Sequence, residues 1–284
     1  VGIVDTVLRD NPVVRAVSSR VTRGDYVHAG VDAAVALTDS GRWVSFERVD
    51  TEEPDVVLAD AVGLARALFD AGLSGVSEID VFPFDLGEER LMVLARACAE
   101  TRVDLMLGFG DGADIDVTWD LAERLRVTGA SVGVTVSAAM RRTEADCRTW
   151  ADSRIRLVKG AHQPAGGPIF RSTHEVDKSY VRCARALIAG SGMASFATHD
   201  QRLVEIVEAL ADKRLRAPGS YEFAFYAGRR DNEQQRLLAG GHRVRVSIPL
   251  GPDLLARVVG NLVQQPSTLA SGVLALVPRR SVAG

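Results

Sequence analysis

Eight apolar runs of strand length recur along the chain, each followed by a stretch with helical spacing, and this alternation constrains the fold more than any other feature. The runs are WVSFERV (43–49), EIDVFPF (78–84), VDLMLGF (103–109), SVGVTVSA (131–138), RIRLVKG (154–160), MASFATH (193–199), YEFAFYA (221–227) and RVRVSIPL (243–250). Between them apolar residues repeat every three to four positions from Val56 to Phe69, Leu91 to Ala99, Val117 to Leu125, Cys147 to Trp150, Val176 to Ile188, Leu203 to Leu210 and Gln234 to Leu238. Leu254 to Val263 follows the eighth run. Strand-then-helix repetition predicts parallel strands joined by right-handed crossovers. Eight units in about 220 residues fit a closed α/β architecture, the (β/α)8 TIM-like barrel, with an open doubly wound sheet as the fallback. Residues 1–42 are expected to form an N-terminal helical accessory segment, broken at Gly24 and Asp25, ahead of a barrel spanning 43–284.

The 284 residues are 46% hydrophobic and 25% charged, with a net charge of −3. A chain of that size buries a core without metals or disulfides, and its mild acidity gives no support for a nucleic-acid partner. Cys98, Cys147 and Cys183 are odd in number, widely spaced and set in helix-like stretches, so buried thiols in a reducing compartment are expected. Neither an apolar run long enough to span a membrane nor a basic-then-apolar leader is visible. The expectation is a cytoplasmic protein without an integral membrane segment, with peripheral membrane contact left open. The sequence starts at Val1 rather than Met, which is compatible with a segment upstream.

In such a barrel one parity of each strand faces the interior, and site residues gather at the C-terminal strand ends. A charge early in a strand therefore reads as internal packing, and one at its end as part of a site. Arg156 shares parity with Val158 and Gly160 and should face inward, opposite Ile155 and Leu157. A buried guanidinium has to be paired or has to face an anion or an electron-rich ring. Two readings follow: a salt bridge to Glu222 on strand 7, or contact with a cofactor or substrate. Lys159 has the wrong parity for the interior unless the strand bulges at Gly160; turned inward, it could form a Schiff base.

Strand 6 ends in FATHD, which sets Thr198, His199 and Asp200 where a ligand would meet the barrel. His162, His199, Asp200 and Glu222 could surround a metal, but no HxH or HExxH pairing is present, no metal site is expected, and Asp200 equally suits the N-cap of QRLVEIVEAL. GFGDGAD (108–114) invites a phosphate-loop reading without the GxGxxG spacing or a following lysine. His28, His174 and His242 read as structural or solvent-facing, and Trp43, Trp119 and Trp150 as packing at barrel–helix contacts.

Taken together, AMRRTEAD (139–146), RIRLVKGA (154–161), FATHDQRLVE (196–205), YEFAFYAGRRDNEQQRLLAGGHRVRVSIPLG (221–251) and the helix before Pro266 resemble the proline dehydrogenase family. The resemblance covers roughly 75–266 and extends more faintly through strand 1. It implies a (β/α)8-barrel flavoenzyme that uses FAD to oxidise proline to pyrroline-5-carboxylate and passes the electrons to a quinone. By position, Arg156 takes the place of the family arginine near the flavin's redox end, Lys159, Gly160 and Ala161 the cofactor-binding turn, and Thr198 and His199 the T-H pair that also contacts FAD. Leu107, Ser137, Val158 and Glu222 complete the implied cofactor-binding set, Ser137 standing where the family has glutamine. A cation beside the reduced ring would stabilise the negative charge that hydride arrival creates.

The substrate side departs from the family. Phe82 replaces a lysine, Met106 an acid, His162 a tyrosine and Ser247 a tyrosine, while Phe225 and Tyr226 occupy a leucine or methionine region. In the last helix Arg257 replaces a tyrosine, Gly260 and Asn261 an arginine pair that clamps the proline carboxylate, and Gln264 the acid after it. Three positive charges and their acidic company are gone together, so the pocket reads as rebuilt for a less anionic ligand. Arg257, one turn before Gly260, can supply part of a clamp.

The resemblance therefore implies an FAD-dependent oxidoreductase acting on a C–N or N–N bond of a small amine, imino-acid or hydrazine-like substrate other than proline, in a biosynthetic setting. Arg156 and His162 are the expected catalytic groups, His162 being the evident proton acceptor near neutral pH. Phe82, Met106, His162, Tyr226, Ser247, Arg257 and Asn261 would line the substrate, and quinone or dioxygen would accept the electrons. Two alternatives stand beside this: a genuine proline dehydrogenase in which Arg257 and Asn261 hold the carboxylate, and a non-redox barrel without FAD, either a lyase or a binding pseudoenzyme.

Overall fold

All eight strands form and pair in sequence order into a closed parallel barrel, β8 returning to β1. The structure, a computed structural model, describes residues 25–48, 53–108, 115–160 and 168–250. The strands are β1 (Trp43–Arg48), β2 (Ser77–Val81), β3 (Asp104–Leu107), β4 (Val132–Ser137), β5 (Ile155–Val158), β6 (Ala194–Ala197), β7 (Glu222–Tyr226) and β8 (Arg243–Leu250). Around them run α1 (Asp25–Asp39), α2 (Pro54–Asp70), α3 (Pro83–Leu86), α4 (Glu88–Thr101), α5 (Ile115–Arg126), α6 (Thr143–Thr149), α7 (Thr173–Ala189), α8 (Gln201–Lys213) and α9 (Asp231–Ala239). Closure removes the open-sheet alternative. The expected helix at 254–263 and the glycine loop beyond Gly108 lie outside the described residues.

One boundary differs from expectation for a local reason. Strand 2 stops at Val81, because Pro83 has no N–H for a ladder and its fixed φ suits the first turn of α3. Asp25 is the first described residue of α1, and the expected break at Gly24 lies outside the described residues. That helix packs on β1 and β8. At Gly30 the approach is so close that a Cβ would sit 2.9 Å from Leu250 Cδ2 and 3.4 Å from Phe46.

The main core lies between strands and helices. Outward residues such as Phe46, Ile79, Leu105, Ile155, Leu157 and Phe223 meet Leu64, Leu91, Leu94, Leu203 and Val207 from the helices. Each such side chain contributes roughly 1.5–3 kcal/mol on full burial. Trp119 and Trp150 stack in this layer with ring centroids 4.7 Å apart. Trp43 does not join them: it has inward parity, and the Arg243 guanidinium lies over its ring at 3.8 Å. His28 and His174 are exposed, while His242 bridges Tyr221 and Glu208 at 3.3 Å each. The three cysteines are buried and free. Among the described residues no helix is long and apolar enough to cross a membrane.

Inside the barrel, the layers are polar. Both Glu222 oxygens accept from Arg245, at 2.7 and 3.0 Å, and Arg245 also donates to the Val44 carbonyl at 2.8 Å. Arg154 lies 2.5 Å from Glu78 and 3.0 Å from Asp104. These pairs sit toward the N-terminal strand ends and leave the opposite mouth for a ligand.

Candidate cofactor and substrate site

The end of β5 is shaped by one glycine. Gly160 has φ +94°, and a Cβ there would lie 2.1 Å from Ser137 Oγ. Only glycine permits both the conformation and the approach. Ser137, 1% exposed, therefore lies beneath the turn, accepting from Ala139 N at 3.3 Å while its carbonyl takes the Thr143 hydroxyl at 2.5 Å. Lys159 points outward, its Nζ 2.5 Å from Asp177 on α7 and 3.6 Å from Asp200. No bulge turns it inward, and the Schiff-base reading falls.

The end of β6 forms the next part of the rim. Thr198 Oγ1 accepts from Asp200 N at 3.1 Å, and Asp200 caps α8 by accepting from Arg202 N at 3.1 Å. His199 stacks on Tyr226, centroids 5.7 Å apart, and its Nε2 accepts from Tyr226 N at 3.2 Å. Its carbonyl takes two bonds from Arg230, at 2.9 and 2.7 Å. Burial, then the charges of Arg229 and Arg230, push the imidazole pKa down to about 4. A neutral ring accepting at Nε2 carries its hydrogen on Nδ1.

Arg156 faces inward as its parity requires, but its partner is not Glu222. Its guanidinium is bonded to Glu78 and Asp80, both on β2, with Ser45 Oγ at 3.5 Å. Arg245, on the strand beside β7, has already taken both Glu222 oxygens, whereas two inward carboxylates of β2 meet Arg156 across the barrel. Glu222 opens β7 and is wholly buried, so it cannot serve a cofactor at the mouth, nor join His199 and Asp200 around a metal.

Burial opposes ionisation of Glu78, but Arg156, Arg245 and Arg154 overcome it and hold this carboxyl well below the usual range. Asp80 goes the other way. Its burial outweighs Arg156, Glu78 and Glu47 add repulsion, and its pKa rises to about 7. Asp80 Oδ1, Arg156 Nε and Ser195 Oγ are buried with no hydrogen-bond partner among the described residues.

Leu107 packs outward into the strand–helix core, so a ligand could meet only its main chain. Phe225 likewise points away from the mouth, and Val158 is half-buried with inward parity. Met106 fills the interior beside Gly133, where a Cβ would lie 2.7 Å from its Cε. Phe82 lays its ring over Gly108, 3.0 Å from a Cβ built there. Ser247 pairs in register with Ser45 on one side and Tyr226 on the other. Ala161, His162, Arg257, Gly260, Asn261 and Gln264 lie outside the described residues. The sequence reading passed over Glu78 and Asp80, although their parity with Phe82 in EIDVF was the signal that marks them as inward.

A family model described as proline dehydrogenase matches residues 15–256. The chain belongs to the proline dehydrogenase family. The match takes in α1 and all eight strands, more than the motif segments alone indicate. Proline dehydrogenase 2 of Bacillus subtilis is 25% identical over 188 residues, covering 66% of this chain and 62% of that protein. The proline dehydrogenase of Deinococcus radiodurans is 24% identical over 271 residues, covering 89% of this chain and 87% of the relative. The alignment with the first of these thus spans less than two thirds of its length. Among solved structures, proline utilization A from Bdellovibrio bacteriovorus inactivated by N-propargylglycine superposes with a TM-score of 0.80 at 17% identity, over 92% of this chain and 34% of that one. That likeness shows the shared barrel.

Proposed function

We propose that this chain is an FAD-dependent oxidoreductase that oxidises a C–N or N–N bond of a small amine-type substrate other than proline. What supports this reading is that the inward Arg156 and the Gly160 turn stand at positions that the resemblance assigns to the cofactor, while Phe82 and the buried Met106 bring no charge that would receive an amino-acid carboxylate. The orphaned Nε of Arg156 and the side-chain-free approach at Gly160 fit a flavin. FAD bound here would supply the hydride acceptor.

Val158, Lys159, Gly160, Ala161, Thr198 and His199 would hold the cofactor, with Leu107 contributing main chain and Ser137 supporting the turn. Arg156 keeps a permanent positive charge at the floor. His199 offers an Nδ1–H donor without adding charge, since its low pKa leaves it neutral. His162, which follows β5 in the sequence, is the proposed proton acceptor, and Tyr226, Ser247, Arg257 and Asn261 are the residues proposed to contact the substrate. Electrons would leave to a quinone or to dioxygen. The relatives' names support a second reading, proline oxidation with Arg257 and Asn261 holding the carboxylate.

The decisive experiment is an absorbance spectrum of the purified chain with added FAD, followed by anaerobic mixing with proline and with a panel of cyclic amines and hydrazines. Bound flavin that proline leaves oxidised and at least one amine bleaches is the expected result. Absence of flavin binding would end both redox readings, and rapid bleaching by proline would establish the second.

A further inference from the structure

We infer that Asp80 recognises the substrate and that the substrate class is a cationic amine without a carboxylate; this rests on the oxidoreductase reading and deepens it. Asp80 is inward on β2, in register with Met106 on β3 and Glu47 on β1, one inward position below Phe82. Its carboxylate is used on one side only. Oδ2 accepts from Arg156 and, at 3.1 Å, from Ser45 Oγ, whereas the buried Oδ1 accepts from nothing among the described residues. The residue is 8% exposed while Oδ1 itself is buried, so a ligand reaches that atom once a neighbour gives way.

The charge balance of the interior favours a cation. Among the described inward side chains, Glu78 is bonded to both Arg154 and Arg156, Asp104 to Arg154 and Glu222 to Arg245. Among the described residues Asp80 meets one guanidinium, Arg156, and shares it with Glu78. Arg230 stands on the far rim and is spent on the His199 carbonyl.

An ammonium N–H directed at Oδ1 would form a charge-assisted hydrogen bond and supply the missing positive charge. A substrate carboxylate directed at Oδ1 would meet the Asp80 carboxylate itself, with Glu78 beside it, so this position selects against amino acids as well as for amines. The raised pKa of Asp80 comes first from burial, with repulsion from Glu78 and Glu47 adding to it, and an incoming cation would draw the proton off it. Met106, unbranched and flexible, is the neighbour able to yield space.

Pyrrolidine and L-proline differ only in the carboxylate and make the test. Calorimetric titration of the full chain with FAD present should show pyrrolidine binding at least tenfold more tightly than proline, and Asp80→Asn should remove that preference by weakening pyrrolidine tenfold or more. Equal or tighter binding of proline, or an indifferent Asp80→Asn, would overturn the inference. Should Asp80→Asn fail to fold, Phe82→Lys places a cation above Asp80 and is expected to weaken pyrrolidine and strengthen proline; unchanged pyrrolidine affinity in that variant would overturn the inference equally. Binding is read apart from flavin reduction. Amine preference without bleaching would sink the oxidoreductase reading and leave this one, and bleaching without the preference would do the reverse.

Discussion

Gly160 does what no other residue can at the end of β5, because it combines a left-handed φ with an approach to Ser137 that leaves no room for a Cβ. Gly160→Ala is therefore expected to move the turn away from Ser137, at about 1–2 kcal/mol for the backbone alone, with most of the bound FAD lost. Flavin content and thermal unfolding check it, and Gly160→Ala combined with Ser137→Gly should recover part of the loss if the collision is the cause. Undiminished flavin binding would remove the turn from the cofactor site. Arg156 belongs to the same scale. Its inward direction was legible from strand parity, since Ile155 and Leu157 had to face the helices. Its partners were not, because an arginine reaching across a barrel meets residues far away in sequence, and Glu222 was the acid most easily noticed. Exchanging Arg156 for Met should slow reduction of bound flavin by about 10²-fold, in line with losing one preorganised charge beside a reacting group. Anaerobic stopped-flow would show this, and an unchanged rate would take Arg156 out of the reaction.

At the scale of elements, the period of the apolar pattern decided most of what could be read. Strands of four to eight residues stood out because their outward positions are apolar and their helices repeat at a different period. Boundaries were harder where chemistry overrides the pattern: EIDVFPF continues to look like a strand after Val81, yet Pro83 turns it into α3. Asp200 shows the opposite case, a local signal that held. Its side chain caps α8, and the same carboxylate lies near Lys159 and Arg202. Asp200→Ala should cost about 1 kcal/mol, the usual worth of an N-cap, seen as a lower denaturant midpoint at constant slope. Lys159 keeps Asp177 as a partner, so the β5 turn should stay in place and flavin content should hardly change. A large flavin loss in this variant would mean that the cap also orders the cofactor rim.

For the whole molecule, the barrel interior is a charged network in place of stacked apolar layers, and this gives its stability an unusual pH dependence. Alternation in the sequence announced the closed barrel, but the network depends on which inward charges meet across it, and that is set by register. Two groups titrate oppositely between pH 5 and 6.5. His199 has its pKa lowered to about 4, so over that window the unfolded chain binds a proton that the folded chain refuses, and stability rises with pH. Asp80 has its pKa raised to about 7, so the folded chain holds a proton that the unfolded chain has released, and stability falls as pH rises. Each slope has an upper bound of about 1.4 kcal/mol per pH unit, and the two should nearly cancel. Chemical denaturation at a series of pH values should therefore give a shallow profile for the unaltered chain. His199→Gln should leave stability falling as pH rises, and Asp80→Asn should leave it rising. Parallel profiles for the three proteins would show that neither group is perturbed in the fold, and with that the burial and carboxylate repulsion at Asp80 would lose their thermodynamic support.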